Sequence, residues 1–219
     1  MSYNTFTPIV TNGLVLYLDA ANTKSYPGTG TSWLDLSKNN NTCALTNGPV
    51  FNSSNLGNII LDGVDDFILP SNTFGSTNWT VSMWIKPTVP ISSSPPFYGL
   101  YCLIEGESVT NFPCITDSTV NVYVTSVVNY SFVNNPGWHN VCLTYNGTQL
   151  TGVVDGTNSN TITISNPLSS NILRRIGRRS ITDNVHPYKG GISMVSIYNR
   201  TLSASEILQN YNATKYRFQ

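Results

Sequence analysis

A two-residue alternation of apolar and polar side chains, interrupted at short intervals by turn residues, limits most strongly what this sequence can fold into. Trp79 to Lys86 sets Trp79, Val81, Met83 and Ile85 against Thr80, Ser82 and Trp84, and Pro87 closes the run. Gly13 to Asp19 sets Leu14, Leu16 and Leu18 against Val15 and Tyr17. Thr119 to Val128 sets Val120, Val122 and Val124 against Asn121, Tyr123 and Thr125. Successive side chains of an extended strand point to opposite faces, so such runs read as strands. Trp138 to Tyr145 is followed by Asn146-Gly147 and then Leu150 to Val154, a hairpin signal. Asp155-Gly156 marks the next turn, and Asn58 to Asp62, Ile162 to Ile164, Ile172 to Ile176 and Gly191 to Tyr198 complete the set. Short strands at this spacing predict an all-β fold, a sandwich or a barrel, and not a parallel α/β sheet.

One short C-terminal helix is expected. Ser203-Ala204-Ser205-Glu206 is a capping box, with Ser203 as N-cap and Glu206 reaching back. Ile207, Leu208 and Tyr211 then share a face that would dock on the sandwich edge. No repeat, linker or shift in composition divides the chain. Residues 1–12 read as an N-terminal extension and 13–219 as one domain, long enough to bury a large core. The Ser/Pro-rich stretch 90–113 reads as a long irregular insertion.

Charge narrows the function classes. Only 10% of residues are charged, against about 25% in an ordinary domain. Eleven Lys and Arg balance eleven Asp and Glu, so the basic footprint of a nucleic-acid binder is missing. Weak self-repulsion also tolerates dense packing against copies of the chain or a scaffold. Met1 to Thr5 has no basic segment leading into an apolar run, and no apolar stretch approaches the ~20 residues of a span. The expectation is synthesis in a cytosol with no membrane insertion. The four cysteines lack zinc spacing, and Cys142 reads as a small buried residue. Cys102 and Cys114 could meet across neighbouring strands, although a reducing origin argues against a bridge.

Certain phrases are more specific than the alternation. They are Gly13-Leu14-Val15-Leu16-Tyr17-Leu18-Asp19-Ala20-Ala21-Asn22, Trp33-Leu34-Asp35-Leu36-Ser37 and Leu45-Thr46-Asn47-Gly48-Pro49. Leu61-Asp62-Gly63-Val64-Asp65-Asp66-Phe67-Ile68, Trp79 to Pro87, Trp138 to Gly147 and Gly190 to Ile207 follow. In this order they resemble the laminin-G-like branch of the concanavalin A-like lectin/glucanase superfamily, from about Gly13 to the C-terminus. The resemblance implies a concanavalin A-like jelly roll, a β-sandwich of two packed antiparallel sheets, with sugar- or protein-binding loops at one end. The final stretch, Ser203 to Lys215 with Arg217-Phe218, resembles the ends of such domains in tailed-phage virion proteins. That implies a non-enzymatic virion structural protein: a capsid decoration, head-fibre or tail-fibre subunit. It would sit on the virion surface after synthesis in host cytoplasm. Its partners would be capsid or fibre proteins, further copies of itself, and cell-surface polysaccharide. A carbohydrate-binding lectin module is the alternative, and a glycan hydrolase the third reading.

The candidate residues divide by chemistry. Glucanases of this superfamily carry Glu-x-Asp-x-x-Glu or a close variant, which is not found here. Glu105 and Glu107 would stand ~6.6 Å apart on an extended strand, near the inverting range of about 6.5–9.5 Å. They lie in the insertion with no Asp between them, so no catalytic residue is assigned. Neither His139 nor His186 has an evident Ser or Cys nucleophile beside it. Asp62, Asp65 and Asp66 read first as a turn motif bonding local amides. A structural calcium is the alternative, and no other cofactor is expected. Loop aromatics are the ligand-binding candidates: Tyr98 and Tyr101 with Phe97, then Tyr130 with Phe132. Packing under their own loops, or against a neighbouring protein, stands beside that reading. Arg174, Arg175, Arg178 and Arg179 put four of six arginines within six positions. They mark an anionic partner or interface, or else a solvated rim.

Overall fold

The computed structural model describes residues 7–72, 74–88, 101–102, 104–105, 112–116, 119–123, 130–131, 137–163, 171–173, 175–178 and 187–219. Side chains are described for these except 101–131, 158 and 171–173. The expected two-sheet antiparallel sandwich with one short C-terminal helix is what forms.

The large sheet is organised around Lys189–Tyr198. One edge of this strand pairs along its length with Trp79–Pro87, which leads outward to His139–Tyr145, Gln149–Val154 and Asn158–Thr163. The other edge is shared. Residues 189–192 pair with Asn58–Asp62, whose far side holds Val50–Asn52, and residues 194–198 pair with Leu14–Asp19. The change of partner coincides with a bulge at Ser193, which has no opposite residue in the pairing with Trp79–Pro87. An extra residue shifts side-chain parity by one. That is why Ile192 and Val195, three apart, both belong to the core.

The second sheet runs Ile104–Glu105, Arg175–Ile176, Phe67–Pro70, Cys43–Thr46, Ser32–Trp33. Trp33, Leu45, Ile68 and Ile176 meet Leu16, Leu18, Ile59, Val81, Met83, Val141, Val195 and Ile197 of the large sheet in one cluster. Most of these second-sheet strands were not read from sequence. They are two to four residues long and bounded by turns, too short to show a period.

The hairpin expectations hold. Asn146 Oδ1 accepts the amides of Thr148 (3.0 Å) and Gln149 (2.7 Å), closing the loop between two strands. Asp155 and Gly156 have φ of 51° and 77°, the pattern of a type I′ turn, and the Thr157 amide returns to the Val154 carbonyl. Gly156 is doubly constrained: a Cβ there would stand 2.7 Å from the Tyr211 ring.

The capping box forms as read. Ser203 Oγ accepts the Glu206 amide, and Glu206 Oε2 accepts the Ser203 amide at 2.9 Å. The helix, Ala204–Thr214, lies across the outer face of the large sheet and not at its edge. Ile207 packs with Leu202, Tyr198, Cys142 and Val153. Residues 8–10 join it through Gln209 Nε2 to the Pro8 carbonyl, Asn210 Oδ1 to the Val10 amide, and Tyr198 Oη to the Val10 carbonyl. No helix among the described residues is long and apolar enough to cross a membrane.

Two sequence readings are corrected. The stretch 90–113 is not wholly irregular, because Tyr101–Cys102, Ile104–Glu105 and the start of Phe112–Thr116 are strands. Pro113 and the charged Glu105-Gly106-Glu107 segment masked them. The single run Ile172 to Ile176 is two strands, Asn171–Leu173 pairing with Phe74–Gly75 and Arg175–Ile176 pairing with Phe67–Pro70.

Candidate functional site

Leu14–Asp19 would present an open edge, because the central strand occupies its other side. The phrase Trp33 to Ser37 covers that edge. Asp35 Oδ1 accepts the amides of Tyr17 (2.9 Å) and Ser37 (2.8 Å), while Oδ2 accepts the Ser37 hydroxyl (2.8 Å) and the Asn41 amide (3.0 Å). Thus held, Asn41 Nδ2 donates to the Val15 carbonyl at 2.8 Å and Asn39 Nδ2 to the Leu14 carbonyl at 3.1 Å. Asn72 Nδ2 donates to Asn41 Oδ1 at 2.6 Å. On the opposite wall, Ser76 Oγ bonds the Asn199 carbonyl at 3.1 Å.

These loops enclose a cleft of about 190 Å³. Its polar lining is the amides of Asn39, Asn41, Asn72 and Asn199 with the Ser76 hydroxyl, and Val15 and Phe74 supply the apolar part. None of its described lining residues is charged. Asn39, Asn72 and Asn199 are exposed and Asn41 is buried, so the base is rigid while the rim faces solvent. An amide carries two N–H donors and an acceptor oxygen, so the rim amides keep capacity for a ligand made of hydroxyl groups beyond the bonds above. Sequence reasoning did not find this site. Its residues come from four separate stretches of an Asn-rich chain, and asparagine is an ordinary loop residue.

The aspartate cluster is a hydrogen-bonded turn. Asp62 Oδ1 accepts the Val64 amide at 2.7 Å and Asp66 Oδ2 accepts the Asp62 amide at 2.9 Å. Carboxylate oxygens of Asp62, Asp65 and Asp66 lie within 4.8 Å of one another. Burial pushes the Asp66 carboxyl above its ordinary value; the Asp62 amide opposes this, and repulsion from Asp62 and Asp65 adds to it. As a calcium cage the group is short of oxygens, since calcium takes six to eight. The Asp65 carbonyl is already taken by Asn47 Nδ2 (2.8 Å) and Arg178 Nη1 (3.2 Å). The hydrogen bonds present are those of the turn: one oxygen each of Asp62 and Asp66, and the Asp65 carbonyl, are engaged within the protein.

Arg178 is buried, and its guanidinium lies 5.8 Å from the Phe67 ring centroid, with Arg175 at 5.9 Å on the same ring. Arg178 is therefore a packing residue, and the solvated-rim reading does not apply to it. Arg175 is half-buried. Arg174 and Arg179 lie outside the described residues.

Tyr98, Phe97, Phe132, Glu107 and His186 also lie outside the described residues. Tyr101 and Tyr130 fall in a four-stranded sheet ordered Tyr130–Ser131, Thr119–Tyr123, Phe112–Thr116, Tyr101–Cys102. Its register sets Tyr101 opposite Ile115, Ile115 opposite Val120, and Val120 opposite Tyr130. The two tyrosines thus end a single cross-strand row, although 29 positions separate them in sequence. Glu105 stands in register with Arg175. His139 Nδ1 meets Asp155 Oδ2 at 2.9 Å, and Asp155 Oδ1 accepts the Asn140 amide. This pairing fastens the Asp155-Gly156 turn to the neighbouring strand.

The outer face of the large sheet is covered around Trp84 by the C-terminal helix and the residues that follow it. Trp84 stacks on Phe218 (4.1 Å between centroids) and Tyr211 (5.7 Å), and its Nε1 donates to Thr214 Oγ1 at 2.8 Å. Trp138 tilts against Phe218 from the other side and donates to Asn55 Oδ1.

A laminin-G-type family model described as "Concanavalin A-like lectin/glucanases superfamily" matches residues 61–208. The chain belongs to this superfamily. No curated protein is a significant sequence match. Among solved structures, this concanavalin A-like chain is similar to the binding domain of Paraclostridial Mosquitocidal Protein 1. The TM-score is 0.68 at 15% identity, covering 93% of this chain and 52% of that one. It is also similar to the botulinum neurotoxin serotype D ligand binding domain in complex with N-acetylneuraminic acid (0.66, 18%, covering 92% and 51%). A third is domain 4 of AbnA, a GH43 extracellular arabinanase from Geobacillus stearothermophilus, in complex with arabinotriose (0.65, 12%, covering 90% and 98%). The chain spans about half the length of the toxin domains it matches. At these identities the likeness is one of fold.

Proposed function

We propose that this laminin-G-like chain is a non-enzymatic, glycan-adhesive domain whose sugar contact is the cleft between Asn39, Asn72, Ser76 and Asn199. The observation that carries this reading is an uncharged, amide-lined recess of about 190 Å³ with an apolar patch from Val15 and Phe74. A saccharide presents hydroxyls at its rim and C–H surfaces on its ring faces, and both find a counterpart there. Similarity in fold to domains whose structures hold arabinotriose or N-acetylneuraminic acid supports the same class of ligand. The setting we propose is the surface of a tailed-phage particle, as a capsid decoration or fibre subunit. This rests on the resemblance of the Ser203–Phe218 stretch. Many copies on one particle would turn a weak cleft into a strong attachment by avidity.

Glycan-array binding with the purified chain, followed by titration calorimetry on the best ligand, tests the first part. Asn72→Ala and Asn199→Ala should each weaken binding by about tenfold, the worth of a lost neutral hydrogen bond. Binding that ignores both changes removes the cleft from the proposal. Quantitative mass spectrometry of purified particles tests the setting, with tens or more copies per particle expected. Absence from particles leaves a free-standing lectin module. Turnover of a glycan that is lost in Glu105→Gln would replace both readings with a hydrolase.

A further inference from the structure

In the four-stranded sheet, Cys114 stands directly opposite Cys102. Two features set the hydrogen-bond phase of that pair. Thr116 is opposite Thr119 with only two residues between them, so they are the i and i+3 ends of a hairpin turn and form a hydrogen-bonded pair. Pro113, opposite Val122, has no N–H to donate, so that pair is non-hydrogen-bonded. Both features require Cys114 to be hydrogen-bonded toward Asn121. A residue's N–H and C=O point to the same side of its strand, so toward Cys102 the pair is non-hydrogen-bonded. Directly opposite Cα atoms of such a pair are about 4.5 Å apart, inside the roughly 4.4–6.8 Å range of a disulfide.

We propose that Cys102 and Cys114 form a cross-strand disulfide when the chain enters an oxidising medium. A reducing site of synthesis does not oppose this, because poise is set by the compartment where the protein finally resides. An external disulfide such as oxidised glutathione is the oxidant. One cysteine thiolate attacks it and expels a glutathione thiolate. The second cysteine thiolate then displaces the bound glutathione, so one S–S bond forms as one breaks and two glutathione thiols leave. Cys43 and Cys142 are not competitors. Both are buried, in the core and on the opposite face of the large sheet respectively, and burial pushes their thiols upward, Cys142 to about 12. The bridge would tie the two-residue strand Tyr101–Cys102 to the middle of the sheet, next to the row that ends in Tyr101 and Tyr130.

The test uses the full chain, purified with reductant and moved into a mixture of oxidised and reduced glutathione. It is then denatured and alkylated without reductant, and digested with a protease that cuts after both glutamate and aspartate, which places Cys43, Cys102, Cys114 and Cys142 on four separate peptides. The expected result is a peptide pair linked through Cys102 and Cys114, with Cys43 and Cys142 alkylated. In Cys102→Ser, Cys114 should carry glutathione or the alkyl group instead. The oxidised chain should also melt several degrees above the reduced one, a difference missing in Cys114→Ser. Alkylation of both Cys102 and Cys114 in the oxidised wild-type chain, or a bridge to Cys43 or Cys142, overturns the proposal.

Discussion

Arg217, two residues from the C-terminus, closes a buried ion pair with Asp19 in the first strand, Nη1 to Oδ1 at 2.7 Å. The same guanidinium donates from Nη2 to Ser193 Oγ at 2.8 Å. Ser193 Oγ in turn donates to the Gly57 carbonyl at 2.6 Å. The arginine therefore anchors at the bulge where the central strand changes partner. Gly57 also lets the Ala20–Ala21 backbone pack against it, since a Cβ there would stand 2.4 Å from the Ala20 carbonyl oxygen.

Removing one member of a buried pair strands the other, which costs about 3–5 kcal/mol. Arg217→Met should lower the urea midpoint accordingly, and adding Asp19→Asn should restore part of the loss. A double variant as unstable as the sum of the singles would show that the two residues do not act together.

The Arg200–Glu206 pair is of a different kind. It is bidentate, at 3.0 and 2.6 Å, but more than a quarter exposed on each side. Arg200, with the Ser203 amide assisting, pulls the Glu206 carboxyl down to about 2 from 4.5. A depressed carboxylate stabilises the fold above its unfolded pKa, and that contribution is lost as pH falls through the folded value. Stability should thus decline between about pH 4.5 and 2 in the wild type, and less steeply in Glu206→Gln. Solvent screening keeps the effect modest. Parallel acid-unfolding curves for the two proteins would contradict it. At neutral pH, Ser203→Ala should cost about 1 kcal/mol through the lost cap.

Phe218 covers Trp84 at 4.1 Å. Phe218→Ala should cost about 1–2 kcal/mol through lost burial and stacking. It should also shift tryptophan emission to longer wavelength as water reaches Trp84. An unchanged spectrum would mean that the tail does not shield the ring in solution.

Asp66 has its carboxyl raised by burial first and by like charges second. A raised carboxyl destabilises the fold as pH climbs from the unfolded to the folded value. Asp66→Asn keeps an acceptor for the Asp62 amide and removes the repulsion, so it should leave the melting temperature at pH 7 unchanged or higher. Millimolar calcium should leave the wild-type melting temperature where it was. A calcium-dependent rise, abolished in Asp66→Asn, would restore the ion-binding alternative.

Much of the large sheet was legible because its strands carry their period locally. Val81, Met83 and Ile85, or Val141 and Leu143, face the core simply by alternation, and the turns at Asn146-Gly147 and Asp155-Gly156 need only the φ preferences of those residues. The capping box of Ser203 and Glu206 is equally local, since it spans four residues. The bulge at Ser193 was not legible, because an inserted residue is defined only by what lies opposite it. The placement of Trp84 was half legible: its outward parity was plain, but its burial depends on Tyr211, Thr214 and Phe218 arriving from more than 120 residues away. The amide cleft was not legible, since Asn39, Asn72 and Asn199 become neighbours only when the loop over the first strand, the turn before Trp79–Pro87 and the end of the central strand converge. By itself the sequence determined the all-β class, the hairpins and the helix cap, because those follow from short-range sterics and periodicity. Only the tertiary structure decided which face is sealed, where Arg217 inserts and where a ligand cleft opens, because those depend on the long-range packing of segments that carry no local signal of each other.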